Sequence, residues 1–150
     1  EPAERDYFER RVRPLLGPGI EYVGEVGGPA KLDLLGRARA LLNPIRWDEP
    51  FGMVMIESLA CGTPVLASPH GSVPEIVDDG INGRVAESEA DLVEALGNVD
   101  LLDRGACRRA VETRFSAGRM VDDHIALYRR LIARSGAVSV VAPPVLDTAS

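Results

Sequence analysis

Lysine is almost absent from this sequence. Of its seventeen basic residues only Lys31 is a lysine, a skew to which composition by itself assigns no function. Basic residues as a class are also outnumbered, by twenty-three acidic ones, for a net charge of −6. That balance argues against nucleic acid as a partner, because backbone binding needs a basic face. Only two cysteines occur, Cys61 and Cys107. They form no metal-ligand spacing and no disulfide framework, which fits a reducing cytoplasm. No apolar run reaches the length of about eighteen residues that a membrane-spanning helix requires. Residues 1–13 are densely charged and lack the apolar core of a secretory signal. What remains is a chain of 150 residues, 45% of them hydrophobic, long enough to bury one core.

Short apolar runs alternate with helical patterns, which predicts an α/β fold: a Rossmann-like, mostly parallel sheet flanked by helices. Tyr7, Phe8, Arg11 and Val12 sit on a helix over residues 3–13 that Pro14 closes. Residues 20–23 alternate and stop at Gly24, as a short strand would. Pro29 suits a helix start, and Leu32, Leu34 and Leu35 give that helix an apolar face. Strands are expected at 40–42, 64–67 and 84–86, with a helix from Met53 to Ala60 ended by Gly62 and a helical turn at 73–77. Ser88 opens a capping box on the next helix. Further helices cover 101–114 and the stretch after Ser116, where Met120, His124, Leu127, Tyr128 and Leu131 share one face. Residues 1–133 thus form one partial domain, and 134–150 read as a mobile tail.

The segment Asp48-Glu49-Pro50-Phe51-Gly52-Met53-Val54-Met55-Ile56-Glu57 carries the chemistry. It is a loop bearing Glu49 that runs into a helix behind a glycine. Gly52 admits a ligand close to the backbone. The amides of residues 51–54 lack intrahelical acceptors, and with the helix dipole they make an anion site. In open α/β sheets ligands bind here, outside the carboxyl ends of the strands. Glu49 and Glu57 flank that site, and a carboxylate accepts hydrogen bonds from vicinal sugar hydroxyls. Nothing brings the two face to face as the paired acids of a glycosidase are. Singly, each glutamate also fits ordinary charge at a helix start.

Taken together, Glu49-Pro50-Phe51-Gly52, the seven residues between the glutamates, and Ala60-x-Gly62-x-Pro64-Val65 resemble the E-x7-E motif of retaining glycosyltransferases of family 4. His70 to Val85 is similar to that family's G-x-x-E-I-V-x-x-G-x-N-G stretch. Tyr22-Val23-Gly24 and Ala38 to Pro44 stand where the family has the third and fourth strands of its carboxy-terminal domain. The resemblance covers residues 1–133 and is most specific over 47–85.

It implies the carboxy-terminal, donor-binding half of a GT-B fold whose substrate is a nucleoside-diphosphate sugar. Carried over by position, Glu49 is the catalytic residue at the hydroxyls of the transferred sugar. Phe51, Gly52 and Met53 offer amides to sugar and phosphate oxygens, Val54 lines the nucleoside, and Glu57 holds the ribose. His70 and Gly71 belong to a loop facing the cleft. The family pattern implies no cofactor and no metal, the leaving diphosphate being neutralised by amides and basic side chains. It also implies a cytoplasmic enzyme, or one peripheral to the inner face of the membrane.

The chain departs from the family where it starts. The first two strands, the basic pair that follows the first of them, and the amino-terminal acceptor domain have no counterpart. The expectation is therefore a chain inactive alone, with a gap between strands 20–23 and 40–43 that is left by lost preceding chain or filled by a partner chain or residues 137–146, and with an exposed sheet edge open to homo-oligomerisation. A non-catalytic scaffold with the same fold is the alternative.

Overall fold

The computed structural model describes residues 2–134. Its centre is a three-stranded parallel sheet in the order β1 (Leu41–Asn43), β2 (Val65–Ala67), β3 (Gly83–Val85). Leu41 pairs with Val65, and Val65 in turn with Gly83. The sheet is legible from the apolar runs because β2 is buried along its whole length, as a central parallel strand must be.

Alternation along β2 divides the core in two. Val65 and Ala67 pack with Met55 and Leu59 of α3 (Met53–Ala60), with Val73, Ile76 and Val77, and with Cys107 of α6 (Arg104–Arg114). Leu66 points to the other face, against Ala86, Val99, and Leu92 and Ala95 of α5 (Glu89–Gly97). Burial pushes the Cys107 thiol up from its ordinary pKa, which keeps it an unreactive packing group.

The remaining elements follow the sequence pattern with shifts at their ends. α1 (Pro2–Tyr7) continues into a wider helical turn over Phe8–Val12 and a tighter one over Arg13–Leu15, so the predicted single helix over 3–13 is broken in character near its middle. α2 (Gly28–Arg37) has Pro29 in its first turn and Leu35 in the core. α4 is one turn, Val73–Ile76. Ser88 caps α5 as expected, accepting from the Asp91 amide at 3.2 Å. α6 begins three residues later than predicted, after a tight turn at Val99–Leu101, because Asp103 caps it through the Gly105 amide at 2.8 Å. Ser116 caps α7 (Ala117–Arg134) through the Arg119 amide.

One expectation needs correction. Residues 20–23 form no strand; they run as exposed chain, with an isolated antiparallel bridge between Gly17 and Ile20 and the Tyr22 ring against Phe8 at 4.8 Å. A strand is defined by its neighbour, and among the described residues β1 is an edge of the three-stranded sheet, with no strand beside it for 20–23 to extend. The helix carrying Met120, His124, Leu127, Tyr128 and Leu131 does form, but none of its residues is buried, so His124 is a surface residue. The proposed gap-filling strand at 137–146 and the tail from 135 onward lie outside the described residues.

Candidate functional site

Parallel βα units place the amino-terminal ends of α2, α3 and α4 at the carboxyl ends of β1 and β2. The site is built there from two crossing loops. Residues 44–52 leave β1, and residues 68–72 leave β2. Gly71 adopts φ +55°, and a Cβ built on it would overlap the Glu49 carbonyl oxygen and amide nitrogen. Only a glycine permits both the backbone angle and the approach. Around it the loops are stitched together. The Ser72 amide donates to the Glu49 carbonyl at 2.9 Å, and the Gly71 amide donates to Asp48 Oδ1 at 3.2 Å. His70 is half-buried in the same loop, its amide held by the Ser68 carbonyl at 2.8 Å.

Gly52, at φ +75°, is the left-handed residue that turns the loop into α3. The Gly52 amide donates to Glu49 Oε1 at 3.3 Å, and the indole N–H of Trp47 donates to Oε2 at 3.2 Å. The Glu49 carboxylate is thus held over the start of α3, in a position that complements the helix dipole. Among the described residues no acceptor is recorded for the amides of Phe51, Met53 and Val54. Of the four predicted anion-binding amides, three are therefore open and Gly52 is engaged by Glu49. The side chains of Phe51, Met53 and Val54 are all exposed at this end of the helix. Beside Phe51 lies a groove of about 240 Å³ whose wall includes Pro50, Ser72, Glu75, Arg114 and Phe115. The backbone carbonyl of Glu75 accepts from Arg114.

Glu57 lies one turn further along α3, and its Oε1 sits 2.6 Å from Lys31 Nζ on α2. Lys31, the partner of Glu57, is a residue that sequence reasoning did not single out. The signals that could have found it were its rarity and its place in the first turn of a helix that starts at the carboxyl end of the sheet. A larger groove of about 630 Å³ runs along β3 and α5, lined by Arg84, Glu87, Asp91 and Glu94 among others. Three carboxylates against one guanidinium make it a poor host for a diphosphate. Among the described residues no His, Cys, Asp and Glu group has the arrangement of a metal site, and no helix is long and apolar enough to cross a membrane.

Comparison with known proteins agrees with this architecture. The family described as "Glycosyl transferases group 1" matches residues 1–99. A D-inositol 3-phosphate glycosyltransferase from Saccharomonospora viridis is 38% identical over 95 residues, which is 57% of this chain and 22% of that protein. The Mycobacterium bovis protein of the same name is 34% identical over 117 residues, 71% of this chain and 24% of its own length. The chain thus spans about a quarter of the length of these curated relatives. Among solved structures, sucrose-phosphate synthase from Thermosynechococcus elongatus superposes with a TM-score of 0.70 at 28% identity, over 88% of this chain and 35% of that one. AviGT4, a glycosyltransferase involved in avilamycin A biosynthesis, gives 0.66 at 31% identity, over 89% and 41%. This chain belongs to the group 1 glycosyl transferases, as part of the carboxy-terminal domain of a GT-B fold.

Proposed function

We propose that this chain is the donor-binding portion of a retaining glycosyltransferase that uses a nucleoside-diphosphate sugar. The observation that carries this is the start of α3, where the amides of Phe51, Met53 and Val54 stand open between the carboxylates of Glu49 and Glu57. The open amides receive diphosphate oxygens, with the helix dipole behind them. Glu49 accepts from hydroxyls of the transferred sugar after its bonds to Trp47 and Gly52 loosen. Val54 lies against the nucleoside, and Glu57 accepts from the ribose diol. His70 and Gly71 border the sugar side through the loop that crosses Glu49. Substrate oxygens bind to amides and carboxylates here, and no resident metal or cofactor is part of the proposal.

Transfer needs more than these residues. The amides counter only part of a diphosphate's charge, and the net charge of −6 opposes the rest. Catalysis therefore belongs to the protein at the full length of its relatives, working in the cytoplasm, with an amino-terminal domain supplying the acceptor side. The 150-residue chain alone transfers no sugar. The test is equilibrium titration of the full-length protein with UDP, GDP and ADP. One of them binds, and Glu57→Ala weakens that binding by about 1–3 kcal/mol. If no nucleotide binds, a scaffold role replaces the enzyme. An affinity unchanged in Glu57→Ala removes Glu57 from the ribose.

A further inference from the structure

We propose that Lys31 is a positioning residue for Glu57: it anchors one carboxylate oxygen and leaves the other turned to the ribose diol of the donor. The proposal rests on the donor-binding function above and adds a residue to it.

Lys31 stands in the first turn of α2, and Glu57 in the second turn of α3, on neighbouring helices whose amino-terminal ends open at the same edge of the sheet. Their side chains are 34% and 28% exposed, which makes this the least exposed ion pair among the described residues. Lys31 Nζ meets Oε1 at 2.6 Å, and no partner is recorded for Oε2. A carboxylate in this state has one oxygen fixed and one free to accept.

The type of cation matters. An ammonium is a point charge that can hold a single oxygen, whereas a guanidinium tends to fork across both. Sixteen of the seventeen basic residues are arginine, so lysine is the exception in this chain, and it stands beside Glu57. An arginine here would fork across both oxygens and take up a lone pair on each, leaving neither wholly free for a diol. The pair also has a weak claim to a purely structural purpose. Partly exposed ion pairs contribute on the order of 0–1 kcal/mol, and ordering a lysine side chain costs entropy. Without Lys31 the Glu57 side chain, with its three rotatable bonds, has no recorded partner among the described residues to hold it toward the cleft.

The experiment compares binding of the preferred nucleoside diphosphate (UDP, GDP or ADP) with its 2′-deoxy counterpart, on the protein at the full length of its relatives. The wild type prefers the ribonucleotide. Glu57→Gln removes most of that preference, and Lys31→Met lowers it by about three- to tenfold with little change in melting temperature. Lys31→Gln, which keeps a donor of hydrogen bonds, serves as the second variant should Lys31→Met fold poorly, and shows a smaller loss. A full ribose preference in both Lys31 variants, with the preference lost in Glu57→Gln, overturns the role of Lys31 and leaves the ribose assignment standing. A full preference in Glu57→Gln overturns the assignment itself. Failure of every nucleoside diphosphate to bind removes the donor site and this proposal with it.

Discussion

Single residues decide whether the two loops can cross. Gly71 combines φ +55° with backbone contact to Glu49, so a methyl group there strains its own backbone and pushes on the loop that carries the Glu49 carboxylate. Gly71→Ala is expected to cost about 1–3 kcal/mol in stability and to weaken donor binding beyond that, because Glu49 is displaced. Thermal melting alongside nucleotide-sugar titration checks both. A variant as stable and as tight as the wild type would show that the loop yields without moving Glu49. At this scale the sequence was informative about Glu49, Phe51 to Val54, and Glu57, because their spacing fixes them relative to a helix start. For Lys31 it offered only its rarity and its place in a first helical turn, and no partner. An ion pair between residues twenty-six apart depends on how two helices lie side by side, and no local pattern encodes that.

The elements are held by their ends. Arg104, the first residue of α6, donates to the carbonyls of Gly36 at 2.7 Å and Ala38 at 2.9 Å and to the Thr63 hydroxyl at 2.9 Å. It thereby closes the carboxyl end of α2 with a cation, where the dipole favours one. Asn82 is fully buried, and its side chain accepts from the Asp78 amide at 2.8 Å and donates to the Ile76 carbonyl at 3.3 Å, fixing the turn into β3. Asp103 caps α6, and the Arg109 guanidinium, with the Gly105 amide, holds its carboxyl below the usual range. A depressed folded-state pKa supplies stability at pH above the unfolded value, and that stability is lost as pH falls through the folded value. Acid melting below about pH 4 therefore contains an Asp103 contribution. Asp103→Asn, which keeps a capping oxygen but not the titration, is expected to flatten the acid limb of the melting-temperature profile. A profile parallel to the wild type at every pH would remove Asp103 from it.

Helix and strand positions were legible wherever the pattern could be satisfied locally: α2, α3, the three strands and both serine caps. The start of α6 shifted because Asp103 outcompetes the preceding residues as a cap, and the 20–23 strand failed because strand formation requires a neighbour that these residues do not find.

On the scale of the whole molecule, two apolar features of the described residues stand uncovered. Among them β1 is an open sheet edge, and α7 turns Met120, Ile125, Leu127, Tyr128 and Leu131 outward. The fold class could be read from sequence because alternating βα units admit few arrangements. The exposure of α7 could not, because an amphipathic stripe specifies that a face needs covering without saying what covers it.

The central claim is that the start of α3 receives the donor diphosphate. It is tested most directly by following backbone amide resonances of the full-length protein during titration with the nucleoside diphosphate that binds. The account predicts that the Phe51, Met53 and Val54 amides shift together, with one midpoint, and that the Glu57→Ala variant moves this midpoint to higher concentration. Shifts confined to the groove lined by Arg84, Glu87 and Asp91, with the amides of α3 unmoved, would contradict it.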